Sequence, residues 1–348
     1  MKPQTLAKGG GIVVLLILAV LFPQVFSNPG VSVYGVFAMV FATAAVAWHI
    51  FSGYTGYISL GQAVFYGSGA YAMGIAARDW HMSPHAAFEL LPLAAAVGAI
   101  IAVPFGLVAL RVRRHTFIVV TIAVFFIFQL MAFNLWFTGG SSGLGFPFLN
   151  GTQAQVNETF YYIGLGCTVG SVIIAWLIGR SRFGLQLRAI RDDEDRAKGL
   201  GVKTTRVKLT AFVISGALSG LIGAVAFYYV GQVEPQTGFN PLFDLTLVLM
   251  VFLGGFGSIS GAVLGALIIE PLSQWINTQP SLTGYSEIML GGIFLLVVLF
   301  MPRGIIPTGS EYLTKLRTRG RDAVSPATTI GPASSTPSSP SVSSGGAR

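Results

Sequence analysis

The sequence predicts an all-α fold, a polytopic bundle of transmembrane helices, and three observations lead there. Hydrophobic residues make up 53% of the 348 and mean hydropathy is +0.71, above the roughly 45–50% apolar content of a soluble domain. Charged residues are 10%, against about 25% in such a domain. The apolar residues also come in successive charge-poor runs of about 17–25, the length a helix needs to cross a hydrocarbon layer of roughly 30 Å. The runs are continuous and do not alternate at period two, which excludes a barrel.

Ten spans follow in order, at 10–27, 31–52, 62–78, 86–110, 115–137, 158–179, 207–230, 241–254, 258–277 and 285–301. With the N-terminus in the cytoplasm, the connections at 111–114, 180–206 and from 302 onward fall inside. Those at 28–30, 79–85, 138–157, 231–240 and 278–284 fall outside. This arrangement puts 20 of the 21 Lys and Arg residues inside, leaving Arg78 at the outer end of a span. The positive-inside rule therefore supports an even span number with both termini cytoplasmic.

The first run, "GIVVLLILAVLFPQVFS" after Lys2 and Lys8, also resembles a secretory signal with Ser27 at the cleavage position. A retained first helix, within a segment 1–30, is the reading adopted. Residues 31–305 read as the transmembrane domain, with the cytoplasmic loop 180–206 inside it. Residues 306–348, rich in Ser, Pro, Thr and Gly, read as a disordered cytoplasmic tail.

Basic charge, with a pI near 9.7, does not indicate nucleic acid, because it collects in loops and no basic-aromatic module is present. The single cysteine, Cys167, allows no intrachain disulfide. His81 and His85 have a metal-like spacing, but Pro84 lies between them in a short loop and a solvated loop is the simpler reading. No phosphate loop occurs, and no cofactor is expected. Intramembrane ionisable residues are few: Glu89, Glu158 and Glu287 lie near span ends, while Asp244 and Glu270, next to Pro271, lie deeper. A proton relay would need more partners, so an externally powered conduit fits better than an ion-coupled pump.

Two glycine-rich stretches interrupt the apolar pattern. "SGYTGYISLGQAVFYGSGAY" (52–71) carries Gly53, Gly56, Ser59, Gly61 and Gln62; "FLGGFGSISGAVLGAL" (252–267) carries Gly254, Gly255, Gly257 and Ser258. Glycine permits close helix approach, and broken helices survive in a membrane where protein or a water-filled cavity satisfies the freed backbone. Paired interruptions point to a translocation route, with tight packing alone as the competing reading.

The stretch "RSRFGLQLRAIRDDEDRAKGLGVKTTRVK" (180–208) departs from the rest of the chain. Arg180 to Arg206 holds eight basic and four acidic residues. Leu187, Ile190, Ala197 and Leu200 predict one surface helix over 184–200 with a single apolar stripe. Gly201 ends it, and Thr204 or Thr205 caps the next span. Four consecutive acids argue against a purely electrostatic lipid anchor and for a docking surface, where mixed charge sets register.

Together these pieces resemble the membrane permease subunits of branched-chain amino-acid ABC importers, the LivH/LivM family, over most of residues 31–305. The blocks that carry the resemblance, in order, are "GYTGYISLGQAVFYGSGAY", "FTGGSSGLGFP", "FGLQLRAIRDDEDRAKGLGV", "KLTAFVISGALSGLIGA" and "VFLGGFGSISGAVLGA". Permeases of such importers carry an E-A-A-x-x-x-G loop that seats in the ATPase. The resemblance therefore implies ATPase coupling through Arg188, Asp195, Arg196, Ala197 and Gly201, with Asp standing for Glu and Arg for the first Ala. It further implies a second, LivH-like permease, two cytoplasmic ATPase subunits and a periplasmic or lipid-anchored substrate-binding protein. The chain departs from the family pattern in "TIAVFFIF", where Phe126 stands in place of an expected acid, and in a short 145–157 loop. Readings left open are a urea or short-amide importer, a stand-alone carrier or channel, and, least supported by any acid–base cluster, a membrane enzyme.

Overall fold

The computed structural model describes residues 17–25, 28–279, 285–300 and 304–306. Helical residues 17–25 (α1) lead into α2 (Pro29–Trp48), a π turn (His49–Gly53), α3 (Gln62–Asp79), α4 (Leu91–Ala109), α5 (Arg114–Asn134) and α6 (Gln153–Arg180). Then come α7 (Arg182–Asp192), α8 (Glu194–Gly199), α9 (Thr204–Val230), α10 (Pro235–Gly238), α11 (Pro241–Gly254), α12 (Ile259–Thr278) and α13 (Ser286–Phe300). Seven helices among the described residues are long and apolar enough to cross a membrane. The sequence's 62–78 span is α3, whose 18 residues reach about 27 Å at the α-helical rise but are too rich in Gly and polar residues to join that set. Part of the 10–27 span, the Glu287 side chain and residues 307–348 lie outside the described residues.

Local chemistry starts these helices where the apolar runs begin. Asn28 accepts a hydrogen bond from the Gly30 amide at 3.0 Å, with Pro29 at the first helical position. Thr152 and Gln155 form a reciprocal capping box at the start of α6. Two prolines, Pro104 in α4 and Pro271 in α12, lie inside continuous helices.

Helix α9 is the centre, packed on α3 and α4, while α5 and α6 lie mostly outward. Lipid is as apolar as leucine, so helices associate by close packing of small residues. A methyl group on Gly69 of α3 would fall 2.1 Å from the Gly220 carbonyl oxygen of α9, and one on Gly98 of α4 would fall 2.4 Å from that of Gly216. Below this seam Phe212 is an aromatic hub, with ring centroids 4.8 Å from Phe51, 5.2 Å from Phe65 and 5.3 Å from Phe105. At the opposite end, two-residue strands β1 (Leu144–Gly145) and β2 (Gln232–Val233) pair antiparallel and tie the loop before α6 to the loop after α9.

The charged island is not one helix. Asp193 adopts an extended conformation (φ −157°, ψ 107°), ending α7, and its side chain accepts from the Arg196 amide to start α8. An aspartate that can bond the backbone ahead of it favours a cap over a helix interior, and here the cap won. Leu187, Ile190 and Ala197 are buried as the stripe predicts, but Leu200 is 86% exposed. Gly201 does take the left-handed conformation (φ +88°). Neither threonine caps α9: Lys203 occupies that position without a side-chain bond, and Thr204 is buried inside the helix.

Candidate functional site

Both glycine breaks are breaks in the backbone. After the buried π turn, residues 56–61 are non-helical. A methyl group on Gly53 would fall 2.1 Å from His49 Nδ1, so the imidazole fills the space a side chain would need. The freed backbone is satisfied from within, as a membrane setting demands. The Ser59 amide donates to Ser52 Oγ at 3.3 Å and that of Leu60 to Thr121 Oγ1 at 3.2 Å; the Ser59 carbonyl accepts from Trp48 Nε1 at 2.9 Å. Gly61 then precedes α3.

The start of α3 is held by a carboxylate from α11. Asp244 is buried, and its oxygens accept from the Gln62 amide at 2.8 Å and the Ala63 amide at 3.4 Å. Negative charge at a helix N-terminus is favourable. Gln62 Nε2 donates to Ser215 Oγ at 2.7 Å and Ser219 Oγ at 2.6 Å, both on α9. Ser59, Gly61 and Gln62 are therefore buried and bound to protein. Glu270 is also buried, accepting from Gln274 Nε2 at 2.9 Å.

In the second break α11 ends at Gly254 and α12 begins after Ser258, whose Oγ accepts from the Gly261 amide at 3.2 Å. Gly254 and Gly255 are buried and Gly257 is exposed. A methyl on Gly254 would fall 1.8 Å from the Gly261 carbonyl oxygen, so the two helices meet backbone to backbone. The two breaks also meet each other. Trp48, just before the π turn, stands edge-on to Phe256 with centroids 6.2 Å apart.

The island is fastened to the same place. Arg191 Nη1 donates to the Gly53 carbonyl at 3.0 Å, and its guanidinium lies 4.9 Å from the centre of the Phe256 ring. Arg114 Nη2 donates to the carbonyls of Ile190 at 3.0 Å and Arg191 at 2.6 Å, closing the end of α7 with a cation. Lys208 Nζ of α9, almost fully buried, donates to Glu194 Oε1 at 2.6 Å and to Tyr57 Oη at 3.2 Å. Tyr57 Oη in turn donates to Glu194 Oε2 at 2.5 Å. Burial pulls the Glu194 carboxyl upward. Hydrogen bonds from Lys208, Tyr57 and Thr204, with the lysine charge, outweigh it and hold the group below the ordinary glutamate range.

Of the residues assigned to coupling, Asp195, Arg196 and Ala197 sit together on α8. Asp195 and Arg196 are exposed; Asp195 pairs with exposed Arg113 at 3.8 Å and Arg196 with Asp193 at 3.0 Å. Ala197 is buried beneath them. Arg188 donates to the Gly179 carbonyl and, at 3.4 Å, to that of Gly184, so it closes the end of α6 as well as facing solvent. Sequence reasoning did not single out Arg191, Glu194, Lys208 and Arg114. A signal existed for one: Lys208 stands inside the apolar run that becomes α9, where a charge needs a partner. Among the described residues no three His, Cys, Asp or Glu side chains group as metal ligands would.

The family model "Branched-chain amino acid transport system / permease component" matches residues 31–298. The high-affinity branched-chain amino acid transport system permease protein LivM of Salmonella typhimurium is 27% identical over 323 residues, covering 85% of this chain and 74% of the relative. LivM of Escherichia coli strain K12 is 26% identical over the same extent. LivH of that strain is 29% identical over 179 residues, 49% of this chain and 57% of the relative. No solved structure matches. A family match spanning all the helices from α2 into α13 makes the chain a member of the branched-chain amino acid transport permease family, a multi-pass inner-membrane subunit of an ABC importer and not an enzyme.

Proposed function

We propose that this permease serves an importer of branched-chain or related small amino acids, powered by ATP hydrolysis on separate subunits. It works with a second, LivH-like permease, two cytoplasmic ATPases and a periplasmic or lipid-anchored binding protein. The observation that carries this reading is the family match joined to the island's shape. The short α8 exposes Asp195 and Arg196 and, just past its end, Leu200, and beside them a cleft of about 660 Å³ is lined by Arg111, Arg113, Asp192 and Lys198. An apolar knob rimmed by both charges is what a protein partner needs for burial and for register. We place this surface in the cytoplasm, with ten spans and both termini inside, on the distribution of Lys and Arg.

On this reading the glycine breaks line or gate the route, and the binding protein supplies most of the selectivity. The test is uptake by the reconstituted importer with its cognate binding protein. Leucine, isoleucine or valine should be retained by that protein and accumulated at the expense of ATP. Retention of urea or a short amide, with no aliphatic amino acid bound, overturns the substrate assignment and leaves the importer class standing.

A further inference from the structure

We propose that Arg191 is a positioning residue that pins the two glycine breaks to the island, so that a displacement of α7 is delivered to both breaks at once. The inference deepens the coupling role given to the island above and rests on it.

The side chain occupies a slot built from both breaks. On one side, a methyl group on Gly56 (φ +73°) would fall 3.1 Å from Arg191 Cγ; on the other, a methyl on Gly257 (φ +92°) would fall 2.5 Å from Nη1. One left-handed glycine from each break therefore clears the path of one arginine. At the end of the slot the guanidinium donates to the Gly53 carbonyl and covers the Phe256 face. The π turn and the α11–α12 turn are thus both held by one group from the island.

The chemistry of the grip suits a contact that is made and released. Among the described residues Arg191 forms no ion pair. Of the acids that follow it, Asp193 pairs with Arg196 and Glu194 with Lys208. Its charge is instead held by a neutral carbonyl and an aromatic face, both weaker partners than a carboxylate. The base of the arginine is firmly placed, because Arg114 holds its backbone carbonyl. A rigid root with a releasable tip moves what it grips when the root moves.

Two measurements test this, in a Cys167→Ala background. The first uses the purified chain in nanodiscs and needs no solute or ATPase. Thr55, fully buried beside Gly56, is replaced by Cys and its rate of maleimide labelling is read. Arg191→Met keeps the stem and removes the grip, and labelling should accelerate about fivefold or more; Arg191→Lys, keeping a donor cation, should stay near the parent rate. The second is solute accumulated per ATP hydrolysed by the assembled importer. It should fall about fivefold or more in Arg191→Met, with the ATPase still bound, and recover largely in Arg191→Lys. Equal labelling in the Met and Lys variants, or an unchanged transport-to-hydrolysis ratio in Arg191→Met, overturns the proposal. An incorrect substrate assignment abolishes uptake in the parent as well and leaves the labelling result to decide.

Discussion

Lys208 and Glu194 show what a charge costs at the edge of a membrane bundle. Lys208 is almost fully buried and Glu194 largely so. Stranding one member of such a pair costs about 3–5 kcal/mol, whereas removing both costs less. Glu194→Gln should therefore lower the melting temperature of the purified chain, and the double variant with Lys208→Met should recover part of the loss. The pH dependence has a definite sign. The folded-state pKa of Glu194 lies below its ordinary value of 4.5, so the pair's contribution is complete above that value. It disappears as pH falls from there through the folded pKa. Melting curves of the parent and of Glu194→Gln should converge below about pH 4.5; a constant gap across that range would remove Glu194 from the pair.

At the scale of elements, glycines act in two different ways, and substitutions separate them. Gly201 has open space around it but φ +88°, so only the backbone conformation resists a side chain. Gly201→Val should cost roughly 1–2 kcal/mol and misplace the turn between α8 and α9, while Gly201→Asn, tolerant of that conformation, should not. Co-purification of the ATPase and uptake are read together: Val should weaken both with insertion intact, and wild-type values in both would reduce the island to a solvated loop. Gly56 and Gly257 combine positive φ with crowding against Arg191. Leucine at either should lower uptake in protein that still inserts, and normal uptake from both variants would take the breaks out of the mechanism. The glycine content of 52–71 and 252–267 announced these breaks, because the glycines fall within an otherwise apolar pattern. What lay beyond reading was the partner each break would meet. Arg191 is one of eight basic residues between Arg180 and Arg206, and only the bend at Asp193 and the grip of Arg114 aim it between them. The same bend turned the predicted single helix into two and left Leu200 outside.

For the whole molecule, the helices best legible in the sequence are those that face outward. α5 and α6 are long, apolar and mostly outward, and their lipid-facing composition states their place without reference to neighbours. α3 is shorter and mixed because it is enclosed by α4, α9 and α10 and makes contacts of small and polar residues. The orientation of the bundle is a matter of charge alone, and it can be tested apart from any transport. In a Cys167→Ala chain, single cysteines are placed at Ser141, exposed in the loop before α6, and at Lys198, exposed on the island. The count of basic residues puts these on opposite sides of the membrane, since the 28 residues of α6 lie between them and span about 42 Å at the α-helical rise. A membrane-impermeant maleimide should label Cys at 141 in intact cells and Cys at 198 only in inverted vesicles. Labelling of both positions from one side would contradict a membrane crossing by α6, and the reverse pattern would place the island outside, away from any cytoplasmic ATPase.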